Sequence, residues 1–193
     1  ELEMLSPRML IPHGSYIGGH PKAEDRYHSE LALLAASGTS IIHCPLTSIR
    51  YTDALDSFDR YRQAGVNIAL GTDSFPPDLI RGMDYGNNLA KLIGNSKSAG
   101  TAADYFRAAT LGGAKALGRN DLGRLAAGAK ADITIIDLSK LRSGAIDDPI
   151  RTLLMNCNGA DVHTVIINGR IVVQDGRIPG LDMAQMKAEG QRY

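Results

Sequence analysis

Three polar side chains recur at a constant interval along the first part of the chain. His13, His43 and Asp73 each follow a short apolar run, and consecutive positions differ by 30 residues. One strand–helix–strand unit takes roughly 30 residues. The interval therefore predicts three parallel strands joined by helices, with the three side chains at the carboxyl ends of the strands. In barrels and in doubly wound sheets, that end carries the chemistry.

The apolar patterns around these positions support the same reading. Residues 9–11, 39–42 and 66–70 are short and apolar or β-branched, as expected of buried strands. Residues 29–37 and 53–64 place apolar side chains at helical spacing, and each stretch ends at a glycine. The alternation predicts an α/β fold with a parallel sheet.

Beyond Asp73 the pattern changes to helices. Residues 78–93 predict a helix that Gly82 and Gly86 interrupt. Residues 101–117 predict a second helix that Thr101 caps, with Asp104 three positions further on.

Short strands dominate the last third of the chain. Residues 132–138, 165–167 and 171–173 predict strands, and Asn168-Gly169 is a strong signal for a two-residue hairpin turn. Residues 182–190 predict a terminal helix. We therefore expect a (β/α) part over 1–120, a small β domain over 121–180 and a tail over 181–193.

The composition excludes several classes of protein. The chain has 193 residues, 44% of them hydrophobic, and a formal net charge of zero. Charge balance argues against nucleic acid or an anionic membrane as a partner, and the apolar runs are far too short to span a bilayer. Two cysteines, Cys44 and Cys157, form no disulfide framework, and no signal peptide is recognisable, so we expect a cytoplasmic protein.

Five segments occur in an order typical of one family. The chain carries, after the histidine at 13, SIIHCP, NIALGTDS, AATLGGAKALG, LGRLAAGAKADITIIDL and VHTVIINGRIVVQDG. This series resembles the amidohydrolase superfamily, and within it the group of cytosine deaminases, guanine deaminases and triazine chlorohydrolases. The resemblance implies that 9–13, 39–43 and 66–73 are strands six, seven and eight of a (β/α)₈ barrel. It also implies that the last strands form part of a small β-sandwich.

The resemblance also implies roles for individual residues. Asp73 matches the aspartate that touches the metal and takes a proton from the attacking water, so we expect it to be both metal ligand and catalytic. His13 matches the catalytic histidine of strand six, while His43 and Ser74 are expected to bind substrate. The implied cofactor is a divalent metal, zinc first and iron second. Such an ion generates a nucleophile from water at neutral pH, and a nearby carboxylate can collect the proton.

The implied function is hydrolysis of a C–N or C–Cl bond in a small heterocyclic or amidine-like substrate. The family's HxH pair and strand-five histidine are missing, since none of the five histidines lies in an HxH motif. We therefore expect the chain alone to be incomplete and inactive, and to associate with a missing N-terminal half or with further copies of itself. A non-catalytic remnant that serves as an oligomeric or partner-binding module is the alternative. A complete flavodoxin-type protein is a weaker one, because no phosphate-binding glycine loop is present.

The residues alone leave one further metal site open. His13, His43 and Asp73 together form a plausible set of two imidazoles and a carboxylate. Cys44, between His43 and Pro45, is expected to be a small buried side chain rather than a nucleophile.

Overall fold

The first sheet contains the three predicted parallel strands in the predicted order. In the computed structural model, β1 spans Leu10–Pro12, β2 spans Ser40–His43 and β3 spans Asn67–Leu70. They pair in the order β1-β2-β3, all parallel. The structure describes residues 4–17, 20, 22–23, 30–55, 57–73, 75–140 and 143–192.

The helices between these strands differ in part from the prediction. Helix α1 spans Glu30–Ser37, and α3 spans Phe58–Gln63, so the predicted helix over 53–64 is too long. The side chain of Ser57 accepts a hydrogen bond from the Arg60 N–H and fixes the later start of α3. An unpredicted helix, α2 (Pro45–Arg50), begins directly after β2 with a proline in its first turn.

Helix α4 spans Leu79–Ile93 without a break, so the predicted interruption by glycine is wrong. The side chain of Asp78 caps it by accepting a hydrogen bond from the Arg81 N–H. At Gly86 an added Cβ would lie 2.2 Å from a ring carbon of Tyr105. Glycine at position 86 therefore lets α4 approach Tyr105, which belongs to the next helix, more closely than a residue with a side chain would.

The predicted helix over 101–117 is one continuous path with a change of pitch. It consists of α5 (Ala102–Arg107), a π-helical turn (Ala108–Gly112) and α6 (Gly113–Ala116). The capping box predicted from Thr101 and Asp104 is present, with both reciprocal hydrogen bonds.

The second sheet is antiparallel. Strands β4 (Ile133–Ile136), β5 (Val162–Ile167) and β6 (Arg170–Val173) pair in the order β4-β5-β6. The predicted hairpin turn joins β5 to β6, and both of its residues have positive φ, 49° at Asn168 and 79° at Gly169.

Two helices complete the part of the chain that the structure describes. An unpredicted helix, α7 (Pro149–Asn156), follows β4 and packs against α4 and α5. Its Leu154 is buried in the main core. The predicted terminal helix is α8 (Met183–Gly190), capped by Asp182. The division at residue 120 remains a prediction, since α7 belongs to the later segment but packs on the earlier one.

The main core lies between the first sheet and the helices. Ile41 and Ile68 contribute the sheet side, while Phe58 and Tyr105 stack with ring centroids 4.3 Å apart. This packing fixes the ends of the strands, from which the polar side chains project. Among the described residues, no helix combines the length and apolar character needed to cross a bilayer.

Candidate functional site

Two of the predicted site residues meet at the carboxyl ends of the strands. His13 directly follows β1 and Asp73 lies three residues beyond β3. Nε2 of His13 and Oδ2 of Asp73 are 3.3 Å apart, with side chains 40% and 56% exposed. As the 30-residue interval predicted, an imidazole and a carboxylate lie side by side at this edge of the sheet, and both are accessible to solvent.

His13 and Asp73 both have unusual backbone conformations, which set the directions of their side chains. His13 has a φ of 60° and Asp73 a φ of 42°. Left-handed conformations of this kind cost about 1–3 kcal/mol in non-glycine residues and occur at active sites where the surroundings enforce them. Here the His13 N–H donates to the Ile42 carbonyl at 2.9 Å, and the Thr47 hydroxyl donates to the Asp73 carbonyl. The fold thus holds both residues in a strained but fixed geometry.

A pocket opens around this pair. Its volume is about 570 Å³, within the range of small-molecule sites. It is lined by Ile11, Pro12, His13, Gly14, Ser15, Tyr16, Thr47, Ser48, Tyr51, Asp53 and Asp73. The pocket is the place where the described part of the chain can bring a small molecule to His13 and Asp73.

His43 occupies a different position from the one expected of a substrate ligand. Its side chain is 1% exposed, and its ring centroid lies 6.3 Å from that of Phe58 and 6.2 Å from that of Tyr105. Burial, with a smaller contribution from nearby His13, lowers the pKa of His43 to about 3. His43 is therefore a neutral side chain in the interior, and it does not line the pocket.

The set of possible metal ligands also differs from the one left open by the sequence. Ligand atoms of His13, Cys44 and Asp73 lie within 4.8 Å of one another, so Cys44 takes the place expected for His43. Burial, followed by the charge of Asp73, raises the pKa of the Cys44 thiol. A protonated thiol is a poor metal ligand, and this agrees with the predicted role of Cys44 as a small buried side chain. Ser74, the other predicted substrate ligand, lies outside the described residues.

Sequence reasoning missed one group of pocket residues, Tyr16, Thr47, Ser48, Tyr51 and Asp53. Thr47 and Ser48 belong to α2, and Tyr51 and Asp53 follow it. Tyr16 follows the first strand and the other four follow the second. These positions are the signal that could have indicated them, because loops at this edge shape binding sites.

Comparisons with known proteins agree with this architecture. The model of the amidohydrolase family matches residues 1–172. The chain is 30% identical over 186 residues to a 5-methylthioadenosine/S-adenosylhomocysteine deaminase of Pyrococcus abyssi, covering 94% of the chain and 41% of that protein. It is 31% identical over 195 residues to a 5'-deoxyadenosine deaminase of Methanoregula boonei, covering 98% and 42%. The chain thus spans about two fifths of the length of these relatives.

Solved structures show the same fold. An adenosine deaminase from Xanthomonas campestris with bound zinc superposes with a TM-score of 0.87 at 27% identity, over 97% of this chain and 42% of that one. Atrazine chlorohydrolase from Arthrobacter aurescens, complexed with zinc, matches with a TM-score of 0.81 at 23% identity, over 97% and 41%. The resemblance read from the ordered segments is confirmed, and the chain belongs to the amidohydrolase family.

Proposed function

We propose that this chain supplies one wall of the active site of a metal-dependent deaminase. In this proposal β1, β2 and β3 are strands six, seven and eight of a (β/α)₈ barrel, and the antiparallel sheet is part of the accompanying β-sandwich. One observation carries the proposal. An imidazole and a carboxylate lie 3.3 Å apart, on backbone with positive φ, in the wall of a pocket of small-molecule size.

The Asp73 carboxylate is of a ligand type that binds divalent metal ions such as zinc. The Nε2 atom of His13 lies 3.3 Å from its Oδ2 atom, so the imidazole stands beside the group that would hold the ion. We assign Asp73 as the ligand and His13 as its neighbour, with zinc the first choice and iron the second. A metal bound here would supply a hydroxide nucleophile at neutral pH by lowering the pKa of water to about 7.

The two side chains then have different roles in the reaction. The Asp73 carboxylate accepts a proton from the attacking water and can pass it to the departing nitrogen. The His13 imidazole donates a hydrogen bond to the reacting group and stabilises the charge that develops there. Water adds to the carbon that bears the amino group, the C–N bond breaks, and ammonia leaves.

Buried His43 acts in this scheme as a support rather than as the substrate ligand first expected. It is the last residue of β2 and is buried near Phe58 and Tyr105, so it would have to move away from these two rings to reach the pocket. Ser74 directly follows the metal aspartate, and we retain it as a candidate for substrate contact.

Amino-substituted nucleosides are the substrates that we favour, because curated relatives are named as deaminases of such compounds. Displacement of chloride from a heterocycle is the second candidate. It is supported by the similarity in fold to atrazine chlorohydrolase and by the same chemistry of an attacking water.

A complete catalytic metal site has three protein ligands, and the described residues offer Asp73 with His13 and a protonated Cys44 beside it. We therefore propose that further ligands come from an N-terminal half, from a longer chain or from another copy. The chain by itself would then be inactive. Cys44 and Cys157 are buried and form no disulfide with each other, which is compatible with the reducing cytoplasm that we propose as the location of the protein.

The test is to express the gene in full, including any sequence that precedes Glu1, and to compare the wild type with Asp73→Asn. We expect the wild type to bind about one zinc per chain and to release ammonia from adenosine or 5'-deoxyadenosine. Asp73→Asn should lower kcat/KM by at least about 100-fold, since it removes both a ligand and the proton acceptor.

Asp147→Asn is the matched control, because Asp147 is exposed and pairs with Arg151 on α7. It should leave both metal content and activity unchanged. A folded wild-type protein without metal and without activity on any of these substrates would favour the alternative, a non-catalytic module.

A further inference from the structure

A second charged group lines the same pocket as His13 and Asp73. Asp53 lies in the segment after α2, and its side chain is 37% exposed. The Tyr16 hydroxyl donates a hydrogen bond to its Oδ1 atom. The Lys22 ammonium donates to the same Oδ1 atom at 2.9 Å and to the Thr52 carbonyl at 3.1 Å. Asp53 therefore joins the loop that follows β1 to the loop that follows α2.

These contacts with Asp53 all involve one of its two carboxylate oxygens, Oδ1. Among the described residues, no hydrogen bond or ion pair reaches Oδ2 of Asp53. The hydrogen bonds from Tyr16 and Lys22 lower the pKa of Asp53, so the group is ionised at neutral pH. An ionised carboxylate oxygen to which no described residue donates, on the wall of a pocket, is an acceptor available to a bound molecule.

The surroundings of Asp53 indicate what kind of molecule would bind there. Two pocket-lining tyrosines expose their rings, Tyr16 at 51% and Tyr51 at 73%. Exposed aromatic rings next to a hydrogen-bond acceptor suit a ligand with an apolar or planar body and hydroxyl groups. Carboxylates are common acceptors for the hydroxyl groups of ribose.

We infer that Asp53 binds the hydroxyl groups of the sugar part of the substrate, so that the site selects nucleosides over analogues that lack those hydroxyls. Asp53 is then a specificity-determining residue that acts on the part of the substrate that does not react. The inference rests on the proposed deaminase function and deepens it, since it assigns a position to the sugar. The same wall that carries His13 and Asp73 would then recognise both ends of the substrate.

The experiment compares two ligands and two variants in the protein expressed from its complete gene. The ligands are adenosine and its dideoxy analogue, which lacks both hydroxyls of the ring. Asp53→Asn keeps the shape of the side chain and its hydrogen bond from Tyr16 but removes the charge. Asp147→Asn is the control, because Asp147 is an exposed, ion-paired aspartate that is not among the residues lining this pocket. Binding is measured by calorimetry and turnover by ammonia release.

We expect Asp53→Asn to weaken adenosine binding and to lower its kcat/KM by roughly tenfold or more, mainly through KM. The dideoxy analogue should change by less than about twofold, since it makes no such contact. A loss of equal size on both ligands would mean that Asp53 only holds the loops together, and it would overturn the inference. Undiminished adenosine binding would do the same.

The two readouts separate this inference from the proposed function. If the wild type binds adenosine more tightly than the analogue and Asp53→Asn abolishes that preference, Asp53 has the inferred role even without ammonia release. In that case the deaminase proposal alone fails. If ammonia is released but the preference survives in Asp53→Asn, the deaminase proposal stands and the role of Asp53 is refuted.

Discussion

Helix α4 offers two glycines whose replacement should have opposite effects on stability. Gly82 and Gly86 lie one turn apart in the same helix. An added Cβ at Gly82 would meet no atom within 4 Å, whereas at Gly86 it would lie 2.2 Å from Cε1 and 2.8 Å from Cζ of Tyr105. Carbon atoms in contact normally stand about 3.5–4.0 Å apart. The added Cβ at Gly86 would therefore be roughly 1.3–1.8 Å closer to Cε1 of Tyr105 than an ordinary carbon–carbon contact.

The Tyr105 ring has no room to yield. It is 1% exposed and stacks on Phe58 at 4.3 Å. On its other edge, a Cβ at Gly100 would already lie 2.8 Å from Cε2, so the surrounding backbone is close on that side as well. Overpacking of this kind costs about 1–3 kcal/mol or more.

Both replacements gain the same helix propensity, about 1 kcal/mol for alanine over glycine. We therefore expect Gly82→Ala to raise the free energy of unfolding by about 0.5–1 kcal/mol. Gly86→Ala should lower it by up to about 2 kcal/mol, because the overlap outweighs the gain in propensity. The difference between the variants isolates the steric cost, since their propensity terms cancel.

The assay is urea unfolding followed by circular dichroism, with the free energy obtained by linear extrapolation. Equal m-values would show that both variants unfold from the same compact state. The reasoning is refuted if Gly86→Ala proves as stable as Gly82→Ala. That result would mean that Tyr105 has space that the structure denies it.

Two further predictions concern stability. Asp78 caps α4 and also accepts a hydrogen bond from the Gly159 N–H at 2.8 Å, whereas Asp182 only caps α8. Asp78→Ala should therefore cost about 1–3 kcal/mol more than Asp182→Ala in urea unfolding, and equal costs would contradict this. The neutral form of His43 is favoured on folding, since its pKa falls from 6.5 to about 3. In metal-free protein this contribution is present above pH 6.5 and is lost toward pH 3, by up to about 1.4 kcal/mol per pH unit. Subtracting the pH profile of His43→Leu should reveal that slope, and coincident profiles would count against it.

The sequence predicted the sheet better than the helices. Strand runs were recognisable because Ile41 and Ile68 lie in short apolar stretches, and hydrophobic burial alone identifies such stretches. The start of α3 depended on a cap at Ser57, and α2 on the proline that opens it. These local hydrogen bonds and backbone restrictions carry little signal in the apolar pattern, so the helix predicted over 53–64 began too early and α2 was not predicted at all.

The sequence also predicted one part of the candidate site and not another. Interval and family resemblance placed His13 and Asp73 correctly at one edge, because the length of a strand–helix–strand unit is set by the chain itself. The direction of a side chain at the end of a strand is not set in that way. His43 turns inward and Cys44 approaches Asp73, and that choice depends on how Phe58 and Tyr105 pack beneath the strand.

By itself, the sequence determined the family, the order of the parallel strands and the placement of His13 and Asp73 at the same edge of the sheet. These follow from periodicity and from the spacing of motifs, which are properties of neighbours along the chain. Only the tertiary structure decided which side chains line the pocket. Tyr16 and Asp53 are 37 residues apart, and their contact depends on the packing of two separate loops. Contacts of that kind arise from the whole fold, and no local pattern encodes them.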